Sequence, residues 1–169
     1  MNDLIKFLTN HNLTISTAES CTGGLIAKMI TDIPGASDCF GMGVVTYSNE
    51  AKQNLLGVKT ETLAQYGAVS AQTAAEMCEG MRALSGADAA VAVTGIAGPG
   101  GGTVEKPVGL VYVGISGANG TQTFMLNLAG NRDEIRVTTA QTALEAVYEY
   151  MILISDKNID KIIAQDAFF

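Results

Sequence analysis

The sequence contains little histidine and cysteine, two residue types on which enzymes often rely for acid–base and metal chemistry. It has a single histidine, His11, and no tryptophan, and its three cysteines show no C-x-x-C pair or other metal-binding spacing. His11 is expected at the solvent-facing end of the first helix, so a Ser-His-Asp triad and a histidine-ligated zinc site are both disfavoured. Cysteines without a disulfide pattern are typical of a reducing compartment, which predicts a cytoplasmic protein.

Basic charge is scarce as well. The 169 residues include 10 lysines and arginines against 17 aspartates and glutamates, a formal net charge of −7. Such an acidic chain is a poor binder of nucleic acid or anionic membranes. No apolar run approaches the about 20 residues that a membrane-spanning helix needs, and the first residues lack the pattern of a signal peptide. If the protein binds an anionic small molecule, local basic side chains and backbone amides must outweigh this negative charge.

Glycine is abundant, and helical and strand patterns alternate along the chain. Helical spacing of apolar residues predicts helices over 2–12, 23–32, 49–57, 60–67, 70–86 and from 131 onward. Short apolar runs predict strands over 13–18, 39–48, 87–95, 108–116 and 121–129. This alternation predicts an α/β fold, a single-domain three-layer α/β/α sandwich with a mixed sheet, over 1–154. The tail over 155–169 is expected to form a short helix, a docking segment ending on Phe168 and Phe169, or a frayed end.

Polar residues at the predicted helix starts indicate where the helices begin. Ser48 or Asn49, Thr60 and Ser70 are expected as N-caps, because their side-chain oxygens can accept a free N–H of the first turn. Asn131 opens the last helix, with Glu134 three residues later as its capping-box partner.

Three predicted strands end in polar segments, two of them glycine-rich. These segments are "TAESCTGG" at 17–24, "VTYSNEAK" at 45–52 and "VTGIAGPGGGTVEKPVG" at 93–109. Ligands of open α/β sheets gather at the carboxyl ends of strands, so one shared pocket is more economical than three unrelated turns. The third segment fits neither the P-loop nor the dinucleotide-binding fingerprint.

The residue types in these segments leave several interpretations open. Ser20 could act as a nucleophile whose base is a lysine of lowered pKa, and Lys52 with Tyr47 could reach the same pocket. Cys21 with Glu19 and Lys52 would instead form a nitrilase-type set, activated at a helix start. Spacing alone favours simpler roles, with Ser20 or Thr22 as a helix cap and Lys52 as an ordinary exposed lysine. Cys39 and Cys78 are expected to be buried fillers.

Six segments of the chain, in order and spacing, resemble the CinA C-terminal domain family. They are "TAESCTGG", "VTYSNEAK", "GAVS", "TGIAGPGGG", "EKPVG" and "GNRDEIR", and the resemblance covers about residues 2–152. It implies a compact α/β/α domain that hydrolyses the carboxamide of nicotinamide mononucleotide to nicotinate mononucleotide and ammonia, with no metal or other cofactor. A non-catalytic pyridine-nucleotide-binding module is the alternative, because some relatives carry the domain fused to another. The tail and the glycine-rich edges make a homo-oligomer the expected assembly.

The resemblance also implies roles for individual residues. Ser20 matches the family's nucleophile, and Tyr47 and Lys52 match its assisting residues. Backbone amides near 22–24 or 94–95 would hold the oxyanion, and the glycine-rich loop with an arginine would hold the phosphate. The predicted contacts to substrate are therefore Glu19, Thr22, Gly23, Thr94, Gly95, Gly98, Gly101, Arg132 and Arg136.

Overall fold

A computed structural model describes the backbone of residues 2–166 and the side chains of residues 2–153 and of Ser155. Its helices are α1 Asn2–Asn10, α2 Leu25–Thr31, α3 Asn49–Leu56, α4 Thr60–Tyr66, α5 Ala71–Ser85 and α6 Arg132–Asp166. Its strands are β1 Ile15–Glu19, β2 Phe40–Val45, β3 Ala89–Gly95, β4 Leu110–Gly117 and β5 Gly120–Asn127.

The five strands form one mixed sheet in the order β2-β1-β3-β4-β5. Strand β1 pairs in parallel with β2 on one side and with β3 on the other. Strand β4 runs antiparallel to β3 and forms a hairpin with β5. The predicted mixed sheet and hairpin are confirmed, and the carboxyl ends of β1, β2 and β3 share one edge.

Helices cover both faces of the sheet, which confirms the predicted three layers. Helices α1, α2 and α6 pack on one face through residues such as Leu8, Ile30 and Val147. Helices α3, α4 and α5 cover the other face, where Met77 and Met81 are fully buried. Since both faces are covered, β3 is buried from Ala89 to Thr94, as its unbroken apolar run predicts.

The helix caps mostly follow the sequence. Ser48, Ser70 and Asn131 each accept a backbone N–H of the first turn, as predicted, and the Glu134 carboxylate accepts the Asn131 N–H at 2.7 Å. Thr60 is wrong as a cap: it is the first residue of α4, and Lys59 stands at the cap position without a side-chain hydrogen bond.

Two element ends differ from the prediction in ways that matter for the site. Strand β2 ends at Val45, so residues 46–48 form a separate turn before α3. Helix α6 passes Ser155 without a break and ends at Asp166, so the tail predicted from 155 begins within this helix. The contact expected of Phe168 and Phe169 lies outside the described residues. Within residues 2–166, no helix combines the length and apolar character needed to cross a membrane.

Candidate active site

A cavity of about 280 Å³ opens at the sheet edge where β1, β2 and β3 end. Among the predicted site residues, those that line it are Ser20, Tyr47, Lys52, Thr94, Gly95, Gly98, Gly101 and Arg132. The predicted residues outside its lining are Glu19, Thr22, Gly23 and Arg136. The three polar strand ends therefore do converge on one pocket, which is the arrangement expected of parallel strands.

Ser20 and Lys52 form a hydrogen-bonded pair at the base of the cavity. The Lys52 Nζ lies 3.0 Å from the Ser20 Oγ and donates a second hydrogen bond of 2.8 Å to the Thr46 carbonyl. Lys52 is only 1% exposed, and among the described residues no carboxylate pairs with it. Burial lowers the pKa of the Lys52 ammonium, because a charged amine loses its hydration in such a site. A neutral amine at this position can accept the serine proton.

The exposed role expected for Lys52 from spacing is wrong, and the helix geometry gives the reason. Helix α3 begins at Asn49, after the Ser48 cap. Lys52 and Leu56 lie four residues apart and therefore share one face of this helix, and both are buried. Leu56 packs with the core beneath α5, and the lysine stem follows it into the protein.

Glu19 does not face the cavity. Its buried carboxylate accepts hydrogen bonds at 2.8 to 3.0 Å from the backbone N–H groups of Gly24, Ile26 and Ala27. These amides belong to the start of α2, whose first N–H groups have no partner within the helix. Glu19 therefore caps α2 from the strand side and fixes the turn that carries Ser20.

The turn after Ser20 also differs from a simple side-chain cap. Gly24 stands at the cap position of α2 with a left-handed φ of 96°, and it has no side chain of its own to cap the helix. The prediction of Ser20 or Thr22 as the helix cap is therefore wrong. The amides of Gly23 and Gly24, expected to hold an oxyanion, already have acceptors: Gly23 donates to the Ser20 carbonyl at 3.1 Å and Gly24 to Glu19.

Cys21 lines the cavity but sits in an apolar setting. It packs with Ala97, Val111 and Ile135, and burial raises the pKa of its thiol to about 11, although the backbone N–H groups of Cys21 and Thr22 oppose the rise. The neighbouring Glu19 charge raises the pKa further. Burial therefore opposes the activated thiolate expected at a helix start. Cys39 and Cys78 are fully buried, as expected of fillers.

Arg132 forms the outer wall of the cavity together with Tyr47. Its guanidinium donates to the Gly98 carbonyl at 2.7 Å and to the Tyr47 hydroxyl at 3.1 Å. Tyr47 is 63% exposed, so its hydroxyl lies at the mouth, and it accepts a hydrogen bond from Arg132 rather than contacting the Ser20–Lys52 pair. The guanidinium keeps donors in reserve for an anion that enters from solvent.

Arg136 points the other way along α6. Both its Nε and its Nη2 donate to the Thr22 carbonyl, at 3.2 and 2.7 Å. Its charge also lies 3.7 Å from the exposed Asp133. Arg136 therefore holds the Ser20 turn against α6, while Arg132, one turn earlier, serves the cavity.

The glycine-rich loop and the α4–α5 connection both line the cavity. Gly98 has a left-handed φ of 76°, and a Cβ there would lie 2.6 Å from Val108 Cγ1. Thr94 is buried, and its hydroxyl donates to the Ala68 carbonyl at 2.7 Å. Ala68 and its neighbour Val69 line the cavity but were not predicted as site residues, although they belong to the "GAVS" segment.

The other lining residues that sequence reasoning did not assign to the substrate are Asn49, Ile96, Ala97 and Gly100. Asn49 is the first residue of α3 and belongs to the "VTYSNEAK" segment, which also contains Lys52. Its position in that segment was the sequence signal that could have assigned it to the site. Ile96 gave no signal, since an apolar residue after a strand is ordinary. In the described part of the chain no three histidine, cysteine or acidic side chains converge as a metal site would require.

Comparison with known proteins assigns the family. Residues 1–151 match the sequence model of the CinA C-terminal domain. The chain belongs to the CinA C-terminal domain family. It is 51% identical to the competence/damage inducible protein CihA of Agrobacterium tumefaciens, whose crystal structure matches with a TM-score of 0.84 over 86% of this chain and 89% of that one. A CinA superfamily protein of Escherichia coli is 32% identical, with a TM-score of 0.83 over 86% and 85% of the two chains.

Longer CinA relatives contain the domain as one part. A competence-damage inducible protein of Acetivibrio thermocellus is 56% identical over 147 residues, which is 87% of this chain and 36% of the relative. The chain thus spans about a third of the length of the curated relatives it matches, whose names are competence-damage inducible protein or CinA-like protein and do not state a reaction.

Proposed function

We propose that this CinA-family protein is an amidohydrolase that converts nicotinamide mononucleotide to nicotinate mononucleotide and ammonia. The observation that carries the proposal is the buried Lys52 Nζ, 3.0 Å from the Ser20 Oγ, at the base of an open cavity. A serine needs a base to attack a carboxamide, and a lysine of lowered pKa supplies one without histidine. The choice of nicotinamide mononucleotide rests on the family resemblance.

The pair accounts for both halves of the reaction. Neutral Lys52 takes the Ser20 proton as Oγ bonds to the carboxamide carbon. The tetrahedral intermediate then expels the carboxamide nitrogen, which receives that proton from Lys52 and leaves as ammonia. Water then adds to the acyl carbon and gives a proton to Lys52, which passes it to the Ser20 Oγ as the C–Oγ bond breaks; the acid product leaves and ionises to the carboxylate. The Thr46 carbonyl orients the amine through its 2.8 Å hydrogen bond.

The oxyanion requires a donor other than the occupied amides of Gly23 and Gly24. The N–H of Cys21 is the donor we assign, because Cys21 directly follows the nucleophile and lines the cavity beside it. One such donor contributes about 3–4 kcal/mol to the lowering of the barrier.

Arg132 and the glycine-rich loop suit the phosphate of the substrate. The loop offers the backbone at Gly98 and Gly101, and the Arg132 guanidinium stands beside it at the mouth. Tyr47 acts with Arg132 in this proposal, as its hydroxyl lies 3.1 Å from that guanidinium. In this proposal Glu19 and Arg136 hold the Ser20 turn. The cytoplasmic location and the homo-oligomer stay predictions.

Ammonia release from nicotinamide mononucleotide, from its riboside and from the dinucleotide tests the proposal. The mononucleotide should be the best substrate, and Ser20→Ala should lower its turnover by about 1,000-fold or more. Cys21→Ala is the matched control and should keep most of the activity. The reverse pattern would transfer the nucleophile role to Cys21, and binding of the mononucleotide without turnover would make the wild-type protein a binding module.

A further inference from the structure

Lys106, near the end of the glycine-rich loop, makes an unusual pair of contacts. Its Nζ donates to the carbonyls of Tyr66 and Val69, at 2.6 and 2.7 Å. Lys106 is half-buried, and among the described residues it pairs with no carboxylate. Its charge is thus held by backbone oxygens that lie 37 and 40 residues earlier in the chain.

The two carbonyls need such a donor. Tyr66 is the last residue of α4, where carbonyls lack partners within the helix and the helix dipole favours a cation. Val69 directly precedes Ser70, the cap of α5. One ammonium therefore fastens both ends of the short α4–α5 connection, through charged hydrogen bonds that are stronger than neutral ones.

This contact joins two segments that line the cavity. Ala68 and Val69 belong to the α4–α5 connection, and Gly98, Gly100 and Gly101 belong to the glycine-rich loop. A glycine-rich loop loses much conformational freedom when it is ordered, so its position depends on tethers. Arg132 holds the loop at Gly98, and Lys106 holds its far end.

We propose that Lys106 is a positioning residue that fixes the shape of the substrate cavity by clasping the glycine-rich loop to the α4–α5 connection. Lys106 does not touch the reacting pair, because Ser20 follows β1 and Lys52 lies on α3, and their hydrogen bonds do not involve the clasp. Losing the clasp should therefore weaken substrate binding and leave the chemical step nearly intact. The kinetic part of this inference rests on the proposed function, and the structural part does not.

Amide hydrogen exchange and steady-state kinetics of Lys106→Met test the clasp. Amides of residues 96–105 and 66–69 should exchange about ten-fold faster than in the wild type, since the loop then opens locally. KM for nicotinamide mononucleotide should rise about ten-fold, with kcat within about two-fold. Lys106→Arg keeps a cation with several donors and should restore most of both values. Lys28→Met, which removes an exposed lysine paired with Asp32 on α2, is the control and should change neither.

The outcomes separate this inference from the proposed function. Unchanged exchange in Lys106→Met, or a fall in kcat at constant KM, would overturn the clasp. If the wild type releases no ammonia, the proposed function fails, and the exchange rates alone decide whether the clasp exists. If Lys106→Met does not fold, Lys106→Gln takes its place, because it removes the charge while keeping amide donors. The same faster exchange of residues 96–105 and 66–69 is expected of it.

Discussion

Alkylation of Cys21 by iodoacetamide should be slow, and its rate can be worked out from the structure. The thiolate is the reactive form, so the rate follows the fraction of thiol that is ionised. With a pKa of about 11, about one Cys21 thiol in a thousand is ionised at pH 8, against about one in ten for an ordinary thiol of pKa 9.0. Cys21 should thus react about 100-fold more slowly than a free thiol, and more slowly still because only 6% of its surface is exposed.

The wild-type protein suffices for this measurement, because trypsin separates the cysteines. Cleavage after lysine and arginine places Cys21 in the peptide 7–28, Cys39 in 29–52 and Cys78 in 60–82. Mass spectrometry of these peptides after timed alkylation gives each rate separately. Cys78, whose pKa burial raises to about 12, should react more slowly than Cys21 and serves as an internal reference.

The pH dependence supplies the refutation. Between pH 7 and 9 the Cys21 rate should rise about ten-fold per pH unit, because the thiolate fraction does so below the pKa. A fast rate that is level across this range would mean a thiolate of low pKa. That result would contradict the assigned environment of Cys21 and would revive Cys21 as the nucleophile.

Two further predictions concern the charged residues around Ser20. Ammonia release should increase as pH rises through the Lys52 pKa, which burial lowers from 10.5, because only the neutral amine accepts the Ser20 proton; a rate that falls with pH across that range would contradict this role. Glu19→Gln should lower the free energy of unfolding by about 2–3 kcal/mol in urea, since its carboxylate accepts three backbone N–H groups, whereas the exposed Glu50→Gln should change it by less than about 0.5 kcal/mol.

Most of the fold could be predicted, because local patterns and global topology agree along this chain. The apolar run of β3 predicted a strand covered on both faces, and helices do cover both. Ser48 and Ser70 marked the starts of α3 and α5 through a local mechanism that needs no tertiary information. Thr60 failed as a cap because capping residues also occur as the first helical residue, and element ends are the least determined feature of a pattern.

The location of the site could be predicted, but the protonation chemistry within it could not. Parallel strands bring their carboxyl ends to one edge, so Ser20, Tyr47 and Thr94 had to approach one another. The lowered pKa of Lys52 depends on how deeply its amine is buried, which follows from packing of α3 on the core. The only sequence signal for that burial was the four-residue spacing between Lys52 and Leu56. A solvent-exposed lysine is compatible with the same spacing.

Charge beside a nucleophile is often taken as a sign of direct participation, and the Ser20 turn shows why hydrogen-bond partners must be counted first. Glu19 adjoins Ser20 in sequence, yet its oxygens accept three α2 amides and have no role left that requires the cavity. Arg136 reaches the same turn from α6 and spends two donors on the Thr22 carbonyl. Lys52 differs, since its buried amine bonds to the hydroxyl itself. We infer that Glu19 and Arg136 hold the turn rigid, so that the lysine meets the serine in one geometry.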